Sequence, residues 1–513
     1  MLLTDLVDAS ARVAGTRSRT AKVAALAHAL TLAATGGSEQ VLTATAYLSG
    51  VLRQRRTGLG HRALQGLPDP APTSSLEVVE VHQRLEEVAA VSGSGSRRQR
   101  AALVDDLFGL ATAAEQRYLR DLVTGGLRQG ALDGLVVEAV AVAAGLGAEE
   151  VRRASMLAGS TLPVAAAALT AGRPGLTRFT LRPGHPVRPM LASSAPTVAE
   201  AMLRAAGTSG GAVAVDTKLD GIRVQVHKHD GEVRVFTRSL EDITDRVPEV
   251  VEAVAALPTT ALVLDGEAIA LTADGRARPF QETGARTAGR LDVATLRRRV
   301  PLTSYYFDVL HLDGEDLLDR PGRERFARLA QALPPALVVP RAVTADPDEG
   351  ARLFAAAIAG GHEGVVLKSL TAPYDAGRRG AAWVKVKPRH TLDLVVLAVE
   401  WGSGRRQGLL SNLHLGARDP DGGGFVMLGK TFKGMTDEML TWQTGRFLEM
   451  ETHREGHVVH VRPEQVVEVA FDGVQRSTRY PGGVTLRFAR VKGYRDDKAA
   501  DEADTVDAVR GFL

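Results

Sequence analysis

Cysteine is absent from this 513-residue chain. That removes disulfides and every thiolate zinc site from consideration. A strong charge of one sign is also missing: 63 Lys and Arg against 60 Asp and Glu leave a net +3. This balance permits a polyanionic partner without requiring one, so any basic surface must come from local clustering. The first residues, Met1-Leu2-Leu3-Thr4-Asp5, show no basic stretch followed by an apolar run, and no signal peptide is expected. The Ala-rich stretches around 134–170 are broken by Glu149, Glu150, Arg152 and Arg153, so no membrane span is expected either. A soluble, cytoplasmic protein is the reading these absences leave.

Hydrophobic residues make up 44% of the chain and charged residues 24%, the balance of a folded globular protein. The length suggests three or four domains. Leu103, Leu107 and Leu110, then Tyr118, Leu119 and Leu122, recur at helical spacing, and the first two hundred residues read as helices. The run Ser92-Gly93-Ser94-Gly95-Ser96, followed by Arg97, Arg98 and Arg100, reads as a flexible approach to a helix. Residues 173–190, rich in Pro, Gly and Arg, read as a linker. Strand-like segments follow at Ala212–Val215, Val224–His227, Val233–Thr237, Ala261–Leu264 and Ser304–Leu310. Beyond Lys387-Pro388-Arg389 come short alternating runs at Leu394–Val399, Phe425–Leu428, Val458–Val461 and Val466–Phe471, a pattern that suits a small barrel. The expected architecture is multidomain: an all-α domain over 1–195, a mixed α/β (α+β) domain over 196–388, and a β-barrel over 389–513.

Lys218 stands just past the apolar run Ala212-Val213-Ala214-Val215, with Asp220-Gly221 supplying a turn. A lysine at a strand end becomes a nucleophile when its ammonium is deprotonated, which burial and nearby cations favour. Lys385 and Lys387 alternate with apolar neighbours and are expected on one face of a strand, where two cations can neutralise a phosphoryl group. Glu267 and Glu363 are flanked by apolar residues, a setting that a metal, a lysine or a ribose hydroxyl would explain.

These segments occur in a fixed order. After Lys218-Leu219-Asp220-Gly221-Ile222-Arg223 come Thr237-Arg238-Ser239, Leu264-Asp265-Gly266-Glu267-Ala268 and Tyr305-Tyr306-Phe307-Asp308-Val309-Leu310. Glu363-Gly364-Val365-Val366-Leu367-Lys368 and Trp383-Val384-Lys385-Val386-Lys387 follow, and Leu486-Arg487-Phe488-Ala489-Arg490 and Arg495-Asp496-Asp497-Lys498 close the set. The set closely resembles the motifs of the covalent nucleotidyltransferases: DNA ligases, RNA ligases and capping enzymes. The resemblance implies that Lys218 is the residue adenylated by ATP. It implies that Arg223 and Arg238 approach phosphates and nucleic acid, that Glu267 binds the ribose and that Phe307 meets the adenine face. It places Lys385 and Lys387 on the α-phosphate and gives Glu363, with Glu267, to a catalytic Mg²⁺. Asp216 occupies a position that is often Glu in related DNA ligases and is assigned to the adenine amino group. Arg379 matches a nucleotide-contacting arginine, with Arg378 as a one-residue alternative. Asp220 belongs to the lysine motif; Arg487, Asp497 and Lys498 belong to the motif that orients pyrophosphate, which requires the barrel to move about a hinge at Lys387–His390.

The helical third decides among members of the superfamily. Leu107-Phe108, Ala111-Thr112 through Glu115, Tyr118-Leu119 and Gly126-Leu127-Arg128-Gln129-Gly130-Ala131 resemble the helical DNA-binding domain of larger ATP-dependent DNA ligases. RNA ligases and capping enzymes normally lack it, and the four-cysteine zinc module of NAD-dependent ligases is impossible here. The resemblance therefore implies a three-domain, actinobacterial-type ATP-dependent DNA ligase, a nucleoid-associated monomer acting on nicked duplex DNA with a C-terminal OB-fold. Another nucleotidyl transfer, to RNA or from GTP, is the near rival, and a catalytically silent DNA-binding scaffold the distant one. His453, His457 and His460 have spacing that would suit zinc ligands on a helix. The segment around His457 reads as a strand instead, which sends His457 and His460 to opposite faces, so the histidines are expected to be satisfied or exposed.

Overall fold

The computed structural model describes residues 1–54, 56–127, 133–207, 210–289, 292–375, 379–403 and 406–513, and of Arg379 the backbone. The chain forms two compact units, Met1–Lys385 and Val386–Leu513. No helix among the described residues is long and apolar enough to cross a membrane.

The first unit begins with helices packed around one apolar core that runs from Leu3 to Leu176. Helix Ala113–Val123 shows how sequence sets its start. The Thr112 hydroxyl caps the Glu115 amide, and the Glu115 carboxylate returns a 2.8 Å bond to the Thr112 N–H. Glu115 is fully buried and also accepts from Ser74. Tyr118, Leu119 and Leu122 face the core as expected. Helix Ser96–Gly109 is rotated slightly from expectation. It buries Val104, Leu107 and Phe108, while Leu110 is exposed, because the side that meets the core is set by its neighbours and not by its leucines. The expected linker over 173–190 starts helically. Helix Thr161–Leu176 kinks at Gly172 (φ 61°), and Pro174 falls in the first turn after the kink, where its missing N–H leaves no bond unmade.

Two five-stranded sheets follow within the same unit. The first orders its strands β1 (Leu191–Ser194), β10 (Arg379–Val386), β9 (Gly364–Ser369), β2 (Val213–Lys218) and β8 (Arg341–Thr344). The second orders β4 (Glu232–Thr237), β3 (Ile222–His229), β5 (Leu262–Ala270), β6 (Leu302–Leu312) and β7 (Glu315–Asp316), all antiparallel. Val224, Val226, Leu264, Tyr306 and Val309 fill the core behind the second sheet. The helical part bears on the sheets through Met156 and Leu157, which join Val263, Leu310, Tyr374 and Trp383 in one apolar cluster, and through a bidentate Arg153–Asp319 pair.

The second unit is built on the long strand β11 (His390–Trp401). Its first half pairs with β16 (Val466–Phe471) and its second half with β15 (Val458–Val461), while β12 (Leu410–Arg418) lines the other edge. Strands β13 (Phe425–Thr431), β14 (Glu451–Glu455) and β19 (Arg490–Tyr494) extend this antiparallel sheet, and β17 (Gly473–Arg476) pairs with β18 (Val484–Arg487). Helix Asp437–Glu449 buries Leu440 and Phe447 against it.

Candidate active site

Strand β2 reads Val-Ala-Val-Asp-Thr-Lys, and its first four residues are buried between β8 and β9. The antiparallel register with β9 sets Lys218 opposite Gly364, and the Glu363 N–H donates to the Lys218 carbonyl at 3.0 Å. Lys218 and Glu363 therefore end side by side, and their side chains form an ion pair. Both keep some contact with solvent, at 23% and 17% exposure.

The next residues carry the chain from the first sheet into the second. Gly221 makes that passage possible: a Cβ there would lie 2.4 Å from the Ala268 carbonyl oxygen and 2.8 Å from Glu267 Cγ. The same close approach brings Glu267, opposite Arg223 in the β3–β5 register, into the field of Lys218 and Glu363. Burial pushes the Glu267 carboxyl up to about 7. Lys218 and Arg223 pull the other way, while Glu363 and Asp265 add repulsion.

Beneath these groups lies a buried charge cluster. Asp216 accepts from Arg341 Nε at 2.5 Å and Nη2 at 2.7 Å, and Lys368 Nζ sits 2.8 Å from the same carboxylate. Burial alone would raise the Asp216 pKa, but Arg341 and Lys368 outweigh it and hold the carboxyl below its ordinary value. Burial pushes Lys368 down to about 8 against the pull of Asp216. Its ammonium lies 4.2 Å from the Phe307 ring centre and 4.1 Å from that of Trp383, a cation–π position on both. A second clamp stands beside it. Arg223 holds Asp265 with two bonds of 2.9 and 2.6 Å and donates to the Met190 carbonyl, and Tyr374 donates to Asp265 at 2.7 Å. Burial works against the charge on the guanidinium, and the Asp265 carboxylate outweighs it. Phe307, Trp383 and Tyr374 meet edge to face, completing an aromatic wall.

The structure thus brings Lys218, Glu363, Glu267, Asp216, Arg223 and Phe307 into one region, and adds Arg341, Lys368, Asp265 and Tyr374. Lys368 and Asp265 lay inside the motifs already quoted. Arg341 carries no local signal; its partner Asp216 is 125 residues away. Asp220 is half-buried in the crossover, and Arg238 is exposed in the turn after β4. Lys385 ends the unit on β10, its carbonyl accepting from Ala195. Strand β10 stops at Val386, and Lys387 lies just past it, in the second unit, where it approaches Asp472 at 3.5 Å. Also in that unit, Arg487 is half-buried on β18, and Lys498 bonds Asp393 at 2.6 Å. Asp497 is held down at about 2 by two bonds from Arg495. Arg128, Gln129 and Arg378 lie outside the described residues, and Arg379 is described only as the first residue of β10, opposite Leu191.

Comparison with known proteins agrees with the motif order. Residues 189–387 match the ATP dependent DNA ligase domain, 406–498 the ATP dependent DNA ligase C terminal region and 61–141 the DNA ligase N terminus. A protein of Nocardioides sp. described as "Probable DNA ligase" is 63% identical over 515 residues, covering 100% of this chain and 99% of the relative. One from Kineococcus radiotolerans with the same description is 62% identical, covering 99% of each. Among solved structures, one described as Pmar-Lig_PreS3 superposes with a TM-score of 0.63 at 17% identity, over 96% of this chain and 99% of that one, a likeness of fold.

Proposed function

The chain belongs to the ATP-dependent DNA ligase family, and we propose that it seals nicks in duplex DNA through a covalent adenylate on Lys218. The observation that carries this reading is the convergence on Lys218 of Glu363 and Glu267, with the cationic and aromatic cluster beneath them.

In the first step the free amine of Lys218 attacks the α-phosphorus of ATP. An N–P bond forms, the bond to pyrophosphate breaks, and the lysine proton leaves to solvent. Lys385 and Lys387 are assigned to the charge on the α-phosphate, and Arg487, Asp497 and Lys498 to the orientation of pyrophosphate. Phe307 offers its ring to the adenine. Asp216 keeps room for at most one further donor, since three N–H groups already converge on its two oxygens. Arg223, Arg238 and Arg379 are the remaining nucleotide or nucleic-acid contacts. In the second step AMP passes to the 5′-phosphate at the nick, and in the third the 3′-hydroxyl attacks that phosphate and AMP departs.

The donor set fits Mg²⁺: two hard carboxylates, Glu363 and Glu267, whose mutual repulsion a divalent cation would relieve. When bound there, the ion would neutralise charge developing on the transferring phosphate. The helical domain (1–195) is assigned to DNA, 196–388 to nucleotidyl transfer, and the sheet of 389–513 to an OB-fold.

The test is intact mass after incubation with ATP and a divalent cation. The expected result is one AMP per chain, absent in Lys218→Ala and discharged by nicked duplex DNA. An adduct retained in Lys218→Ala, or formed from GTP alone, or discharged only by RNA, overturns the reading.

A further inference from the structure

The β14–β15 hairpin ends the order β13-β12-β11-β15-β14, so β14 is held on this path by β15 alone. The two strands turn at Gly456 (φ 60°) and His457, and their register sets His453 opposite His460. The two imidazoles stack nearly parallel, 8° apart with centres 4.2 Å apart. Glu455, two residues from His453 on the same strand face, reaches toward both: its Oε1 is 3.9 Å from His453 Nε2 and its Oε2 is 3.8 Å from His460 Nε2. One ligand atom from each of the three side chains lies within 4.8 Å of the other two, and among the described residues no other group of three converges this way.

We propose that His453, Glu455 and His460 bind a divalent transition ion of the Zn²⁺ class, clipping β14 to β15. Metal–ligand bonds of about 2.1 Å in a tetrahedron put ligand atoms roughly 3.4 Å apart. The three ligand atoms, within 4.8 Å of one another, close to that separation when the two stacked rings splay so that both Nε2 lone pairs meet one ion, a rotation that the exposed side chain of His453 permits. Two imidazoles and one carboxylate are a borderline donor set that suits Zn²⁺, Co²⁺ or Ni²⁺, with water in the fourth position, and not Mg²⁺ or Ca²⁺.

A neighbouring hydroxyl prepares the first ligand. Thr452 Oγ1 donates its one proton to the His460 carbonyl at 3.2 Å, so at His453 Nδ1, also 3.2 Å away, it acts as acceptor. This holds the proton of His453 on Nδ1 and leaves the Nε2 lone pair facing Glu455. His457, in the turn, points elsewhere and approaches Glu400 at 3.9 Å. The side chains of His453 and Glu455 are exposed and that of His460 half-buried, so an ion can enter from solvent without opening the fold.

The experiment titrates chelator-stripped full-length protein with ZnCl₂ by calorimetry and with Co²⁺ by visible absorption. One ion per chain is expected with a micromolar dissociation constant, and the bound Co²⁺ should show the intense bands of a tetrahedral site. His453→Gln with His460→Gln should abolish that signal, and so should Glu455→Gln, a change at an exposed side chain that leaves the fold undisturbed. Thr452→Val should weaken binding by about 10-fold, and His457→Gln should leave it unchanged. An unaltered isotherm in either ligand variant, or no wild-type binding below millimolar Zn²⁺, overturns the proposal.

Discussion

Lys368 and Asp216 face each other at 2.8 Å between β9 and β2, each only 2% exposed, with Arg341 closing the other side of the carboxylate. Removing one member leaves its partners charged and buried without compensation. Asp216→Asn is therefore expected to destabilise the fold by about 3–5 kcal/mol. Asp216→Asn combined with Lys368→Met should cost less than the sum of the single changes. Urea denaturation of the three variants checks this; strict additivity would show that the pair is not coupled.

Glu363 pairs with Lys218 and is set beside it by the register of two strands, so Glu363→Gln should fold normally and fail chemically. The expected loss in the rate of adenylation at low Mg²⁺ is on the order of 100-fold, partly recovered at high Mg²⁺. Single-turnover adenylation across a Mg²⁺ series makes the measurement. A rate equal to wild type would remove Glu363 from the site.

Glu267 holds its proton up to about pH 7 in the folded chain, against an ordinary value of 4.5. Between those values the folded state binds more protons than the unfolded state, so stability falls as pH rises through the window. Glu267→Gln cannot titrate. Relative to that variant, wild type should lose on the order of 1–3 kcal/mol between pH 4.5 and 7.5. Denaturation midpoints at the two pH values test this, and a constant difference between the proteins would contradict it.

Arg97 and Arg98 are exposed at the start of helix Ser96–Gly109, directly after the glycine-serine approach. If they meet DNA phosphates, replacing both by alanine should lower the slope of log affinity against log salt by about 2. Adenylation of Lys218 should not change, since that step needs no DNA. Fluorescence anisotropy with a nicked duplex at several salt concentrations reads the slope, and an unchanged slope would return the two arginines to ordinary solvated positions.

Much of the site was legible because its parts are local. The buried run before Lys218 and the glycine two residues after Leu219 each act within a few residues, where pattern and geometry coincide. Other features were not. The helix over Ser96–Gly109 buries Val104 and Phe108 although Leu110 fits the same periodicity, since the packing partner chose the face. Helical spacing over His453–His460 and strand alternation around His457 both miss the relation that forms, which is register across a hairpin.

By itself the sequence determined the order of the motifs around Lys218 and the family, because these reside in residue types at short spacings. Only the tertiary structure decided which charges neutralise one another: Arg341 on Asp216, Asp265 on Arg223, Glu363 on Lys218. Strand pairing sets those contacts between residues as far apart in the chain as Lys218 and Glu363, and electrostatic coupling depends on distance in space and on burial, neither of which is written in any one segment of the chain.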